Sequence, residues 1–248
     1  MRIFMHRGVS MYITAPSGRP FSDEDQRLVQ QLGKIGFIQY REKPFKLKSE
    51  IMSHVYVFGR EELTANPRVL WQLGHNMLLE VRHLMLEEND NRQPCFIGLP
   101  TAGTPLAQAA AMVDDREMIS LSPESACFMQ MRSVKKQTHG AHETWIIGKP
   151  DTAKQRVFRV DNVVTDGGTK FQMAERFAED GLATLELDDV ILVDRQQGAL
   201  KRMSDRGFKK PLVMYNLLDL TFLFARLGEW PGSAVKKVER EIADHQFA

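Results

Sequence analysis

Cysteine is nearly missing: the 248-residue chain has two, Cys95 and Cys127. They lie far apart in apolar surroundings, which excludes a disulfide framework and a paired-cysteine metal site. Both read as core residues of a reduced, cytosolic protein. Long hydrophobic runs are also missing. None nears the roughly 18 apolar residues that a membrane-spanning helix needs. The N-terminus, MRIFMHRGVSMYITAPSGRP, starts basic but lacks a continuous apolar core of signal-peptide length. The expectation is a cytoplasmic protein with a short N-terminal extension and no membrane partner. Neither sign of charge dominates, since 33 Lys and Arg against 32 Asp and Glu leave +1. That balance excludes a global attraction to nucleic acid or an anionic membrane. There is no repeat, no low-complexity tract, no helix-turn-helix signal and no basic recognition helix. What is present, 43% hydrophobic and 26% charged residues, suits a globular chain of one large domain or two small ones.

Short apolar strands alternate with helices along the chain. Ser22 caps a helix whose first turn holds Asp23, Glu24 and Asp25. Residues 14–20 form a breaker-rich loop before it. Residues 45–49 and 54–58 read as strands, and Pro67 opens a long amphipathic helix. A short buried strand at 96–99 leads through a turn, Thr101-Ala102-Gly103-Thr104-Pro105, into an alanine-rich helix over 106–113. Strand character returns at 127–132 and 145–147, around a polar, basic stretch at 133–143. Further strands fall at 190–193 and 212–215, and helices at 170–180, 200–206, 217–227 and 234–245. This alternation predicts an α/β fold with a mostly parallel sheet, whose ligands bind at the carboxyl ends of the strands.

Residues 157–170, VFRVDNVVTDGGTK, carry the most information. An apolar strand runs into Asp161-Asn162 and two valines, then into Thr165, Asp166, Gly167, Gly168 and Thr169, where a helix begins. Glycines let backbone come close to a ligand. The N–H groups of the turn and first helical turn, with the helix dipole, attract an anion, most often phosphate. An acid at the strand end can hold ribose hydroxyls. The segment reads as a loop for a sugar phosphate.

It resembles the phosphoribosyl pyrophosphate (PRPP) signature of type I phosphoribosyltransferases: apolar strand, two acids, two apolar residues, Thr, a small residue, Gly, Gly or Thr, then Ser or Thr. Asn162 departs from the second acid, and Asp166 from the usual Thr or Ala. Four more segments resemble the orotate phosphoribosyltransferase branch of that family, in order over roughly 45–198. Phe45-Lys46-Leu47-Lys48-Ser49 is similar to a strand whose lysine lies at the substrate site, and Lys48 matches it. Thr101-Ala102-Gly103 is similar to the turn that holds pyrophosphate by backbone N–H groups. Arg132 to Gly140, RSVKKQTHG, resembles a mobile catalytic loop, with one extra residue that leaves open whether Lys135 or Lys136 takes the second lysine's role. Asp194-Arg195-Gln196-Gln197-Gly198 resembles an Asp-Arg-x-x-Gly motif whose arginine meets the orotate ring and carboxylate, a planar task suited to guanidinium.

The resemblance implies a type I phosphoribosyltransferase fold in a single domain over 1–248. Its parts would be an N-terminal extension or hood (1–50), a core (51–215) and C-terminal helices (216–248). It also implies transfer of the phosphoribosyl group of PRPP to orotate. Asp161 and Asn162 would hold the ribose hydroxyls, with Val163 and Val164 beside them. Thr165, Asp166, Gly167, Gly168 and Thr169 would cradle the 5′-phosphate, and Thr101, Ala102 and Gly103 the pyrophosphate. Arg132, Lys135 or Lys136, and His139 would stabilise the leaving group from a loop that closes and excludes water. Lys48, Thr165 and Arg195 would face orotate. Mg²⁺ would arrive on PRPP, with no dedicated protein ligands. A homodimer with active sites shared at the interface is implied as well. Two rivals stay open: another nucleobase, and a non-catalytic PRPP-binding regulator.

Overall fold

The computed structural model describes residues 12–47, 51–59, 61–117, 124–135 and 144–247. Two short strands come first, β1 (Ile13–Thr14) and β2 (Pro20–Phe21), paired antiparallel across the 14–20 loop. Helix α1 (Asp23–Lys34) follows. Ser22 caps it as a full capping box, its side chain accepting from the Asp25 N–H while the Asp25 carboxylate accepts from the Ser22 N–H. A separate antiparallel hairpin comes next, β3 (Ile38–Lys46) and β4 (Met52–Val57), with a bulge between Tyr40 and Phe45. Strand β3 starts seven residues before the expected one. Its first seven residues, Ile38 to Pro44, include Arg41, Glu42 and Lys43, which are exposed and mask the pattern. A short helix α2 (Glu61–Thr64) leads to α3 (Pro67–Glu87), begun by Pro67 as expected.

The central sheet is built by β5 (Gln93–Gly98), β6 (Cys127–Met131), β7 (Ile146–Ile147), β8 (Gln155–Val164), β9 (Asp188–Asp194) and β10 (Leu212–Asn216). Its order is β10-β9-β8-β5-β6-β7, parallel throughout except for the edge strand β7. Helices α4 (Gly103–Glu117), α5 (Gly168–Glu179) and α6 (Ala199–Asp205) connect strands, and α7 (Leu217–Arg226) and α8 (Ser233–Asp244) close the chain. Parallel neighbours need such crossover helices, which cover both faces of the sheet.

Pleating of β8 sends alternate side chains to opposite faces. Phe158 and Val160 join the larger core with Leu73, Leu106 and Leu220. Val157 joins a smaller core with Phe177 of α5, and Arg159 on the same face pairs with Asp189 at 2.6 Å. The two cysteines, distant in sequence, are register partners on β5 and β6 and are both free thiols. Among the described residues, no helix is long and apolar enough to cross a membrane.

Candidate active site

Strand β8 sits between β5 and β9, so the loops after β8, β5 and β9 open on one end of the sheet. A cleft of about 800 Å³ lies there. Its wall includes Thr101 and Ala102 from the turn after β5, every residue from Asp161 to Lys170, Arg195 from the loop after β9, and Tyr56, Phe58 and Gly59 at the end of β4. The phosphate-loop, turn and Asp-Arg motifs, with the end of the β4 strand, thus meet in one cavity.

The glycine loop has the geometry its sequence requires. Gly167 takes φ +81°, the left-handed region that favours glycine, and stands as the cap of α5. No side chain caps α5, and the Gly168 N–H turns back to Asp166 Oδ1 at 3.1 Å. Arg202 of α6 holds the loop from behind by donating to the Asp166 carbonyl at 2.8 Å. Across the cleft, Leu99 N–H donates to Val160 O at 2.8 Å and Gly103 N–H to Leu99 O at 3.0 Å, which knits the turn to β8.

The two residues at the end of β8 diverge, as the pleat demands. Asp161 points to the α5 side, where its Oδ2 lies 2.9 Å from Lys170 Nζ, while Oδ1 accepts from the Asn162 N–H. Lys170 is buried. The sequence reading assigned it no role. The usable signal was a cation in the first turn of a helix, where the dipole opposes it and a carboxylate partner is needed. Asn162 points the other way and donates to the Phe58 carbonyl at 3.3 Å. A Cβ at Gly59 would lie 2.6 Å from that amide nitrogen, so glycine permits the approach. An aspartate at 162 could not make this bond, because an ionised carboxylate only accepts.

Arg195 lines the cleft yet is almost wholly buried, at 2% exposure. Its guanidinium donates to Ser53 Oγ at 2.7 Å, Val55 O at 3.0 Å, Glu241 Oε1 at 3.1 Å and Gln197 Oε1 at 3.3 Å. Burial pulls its pKa below the ordinary guanidinium value, and the Glu241 carboxylate opposes that shift. Beside it, burial raises the Asp194 carboxyl, against the lowering effect of the Gln196 N–H. Ser53 and Glu241 also escaped the sequence reading. Glu241 repeats at helical spacing with the buried Ala234 and Val238, and a charge on such a stripe signals a buried partner.

The expected catalytic loop is only partly described. Arg132 borders a neighbouring cleft of about 540 Å³ that shares Pro100 and Thr101 with the first. Its Nε is buried without a hydrogen-bond partner among the described residues. Lys135 lies outside both clefts, paired with Glu179 at 3.0 Å. Lys48, Lys136 and His139 lie outside the described residues.

No protein-family model matches the chain. It is 29% identical over 189 residues to the orotate phosphoribosyltransferase of Methanopyrus kandleri, covering 76% of this chain and 88% of that protein. It is 27% identical over 195 residues to that of a Ruegeria species, covering 77% and 78%. Among solved structures, it is similar to the UMP synthase of Leishmania donovani, with TM-score 0.68 and 20% identity over 88% of this chain but 42% of that one. The orotate phosphoribosyltransferase of Francisella tularensis gives TM-score 0.63 at 16% identity, over 89% of this chain and all of that one. The resemblance read from the five motifs is borne out: the chain has the type I phosphoribosyltransferase fold, and its sequence relatives are orotate phosphoribosyltransferases.

Proposed function

We propose that the chain transfers the 5-phosphoribosyl group of PRPP to orotate, giving orotidine 5′-phosphate and pyrophosphate in pyrimidine biosynthesis. One observation carries the reading. The glycine loop after β8, Thr101 and Ala102 of the turn after β5, and Asp161 line one cleft. In this reading the uncapped first turn of α5 receives the 5′-phosphate, and the turn receives the pyrophosphate by its N–H groups. Asp161 holds the ribose hydroxyls between these two anchors. A bond forms between orotate nitrogen and the anomeric carbon while the carbon–oxygen bond to pyrophosphate breaks. Negative charge grows on the leaving group, and Arg132, whose Nε has no partner among the described residues, is a cation suited to meet it. Lys135 or Lys136 and His139 would join it from the loop. Mg²⁺ supplies neutralising charge to the pyrophosphate when bound. In this reading Mg²⁺ would arrive on PRPP. A homodimer, a cytoplasmic location, and a hood formed by the terminal segments complete the proposal.

The test follows orotate by its ultraviolet absorbance. Loss of signal that requires enzyme, PRPP and Mg²⁺ together supports the reading. PRPP binding by calorimetry without orotate loss would favour a second reading, in which another nucleobase is the acceptor. That second reading rests on Arg195, whose donors are mostly spent within the protein.

Asn162 yields a two-sided prediction. An amide cannot offset positive charge developing on the ribose, so Asn162→Asp is expected to raise turnover. The same change removes the donor to Phe58 and sets a carboxylate against a carbonyl, so stability should fall by about 1–2 kcal/mol. Steady-state kinetics and thermal unfolding on the same preparation read both signs. Equal or lower turnover would count against a ribose-facing role for this position.

A further inference from the structure

We propose that Glu241 is a positioning residue that balances the charge of Arg195 and, together with Ser53, leaves it a single hydrogen bond toward the base. The inference rests on the orotate transfer proposed above. Glu241 belongs to α8, far in sequence from every motif of the site, and it is buried against β4. Its Oε1 accepts from Arg195 Nη2 at 3.1 Å and its Oε2 from the His54 N–H at 3.0 Å. It therefore ties the arginine to the hairpin strand that borders the cleft.

The donor count decides what Arg195 can offer. A guanidinium has five N–H groups. Nε gives its one to Gln197, Nη2 gives both to Ser53 and Glu241, and Nη1 gives one to Val55. One N–H of Nη1 remains without a partner among the described residues. A bidentate grip on a carboxylate needs two parallel N–H groups from neighbouring nitrogens. Glu241 and Ser53 deny that grip by saturating Nη2. Glu241 also balances the guanidinium charge at close range in a poorly solvated place, where charges act strongly. The arginine is left as a neutralised, single donor, suited to a ring carbonyl. The carboxylate of the base gains little from it.

The test compares kinetics of the full-length protein with Glu241→Gln. Glutamine keeps the size and one accepting oxygen for Arg195, removes the charge, and gives up the acceptor for the His54 N–H. The KM for orotate should fall about tenfold, since a hydrogen bond to an unbalanced charge is worth more than a neutral one. The KM for PRPP should stay unchanged, because the phosphate loop and the turn after β5 are untouched. A purely structural role would move both KM values together or neither. Ser53→Ala frees one Nη2 donor while leaving the ion pair in place, and should lower the orotate KM by about threefold. It serves as the second arm if Glu241→Gln fails to fold. Unchanged orotate KM in the folded variants, with normal turnover by the unsubstituted chain, overturns this inference alone. Absence of orotate turnover by the unsubstituted chain overturns the proposed function, and this inference with it.

Discussion

An alanine at position 103 is expected to cost roughly 3 kcal/mol or more of stability and to abolish PRPP-dependent turnover. Gly103 opens α4 directly against the central strand. A Cβ there would lie 2.0 Å from the Val160 carbonyl oxygen, 2.9 Å from its carbon and 3.2 Å from Asp161 Cα. All three atoms are backbone, so no rotamer change relieves the clash. Either the start of α4 lifts off β8, breaking the Leu99 N–H bond to Val160 O, or β8 gives way beneath it. The first movement displaces Thr101 and Ala102, and the second displaces Asp161. Both disturb the cleft. Gly232 is the control: it has φ −57°, and nothing lies within 4 Å of the added Cβ. Gly232→Ala should change stability by no more than about 0.5 kcal/mol. Denaturant unfolding and PRPP calorimetry on both variants check this. Matching midpoints for the two would refute the close-approach account.

This glycine shows what a sequence conveys and what it withholds. The strand–turn–helix order around Gly103 and around Gly167-Gly168 was legible, because apolar runs, breakers and amphipathic periods are local signals. So were the parallel sheet, the Ser22 cap and the proline start of α3. Strand β3 was under-read because Arg41, Glu42 and Lys43 lie on an exposed segment of a two-stranded hairpin, where alternation fails. The lining of the candidate cleft was legible wherever its residues follow a strand in the central sheet. Asp161, Thr165 and the glycines belong to that class. Partnerships across the chain were not legible. Asn162 reads as a weakened acid in sequence, but space gives it a partner, Phe58 O, 104 residues away. Arg195 reads as an open clamp, but Glu241 and Ser53 close on it from 46 and 142 residues away. These pairings form only when distant segments are buried against one another, and no local pattern encodes that burial.

Lys170→Met is expected to destabilise the fold by about 3–5 kcal/mol, because it strands a carboxylate that is largely withdrawn from water. Side-chain exposure is 2% for Lys170 and 12% for Asp161, across 2.9 Å. The lysine is not placed there to support α5, whose dipole disfavours a cation in its first turn. Its work is to balance Asp161. The double variant Asp161→Asn/Lys170→Met removes both charges and keeps similar volumes, so it should recover most of the lost stability. On the proposed assignment of Asp161 to the ribose, turnover should not return with it. Stability and activity therefore separate in one double-mutant cycle, read by denaturant unfolding and by the orotate assay. A loss under about 1 kcal/mol for Lys170→Met would mean that water screens the pair as it screens a surface ion pair. Turnover returning along with stability in the double variant would remove Asp161 from the chemistry. Low turnover in a fully stable double variant would leave Asp161 as the carboxylate on which ribose binding depends, with Lys170 as the residue that makes its burial tolerable.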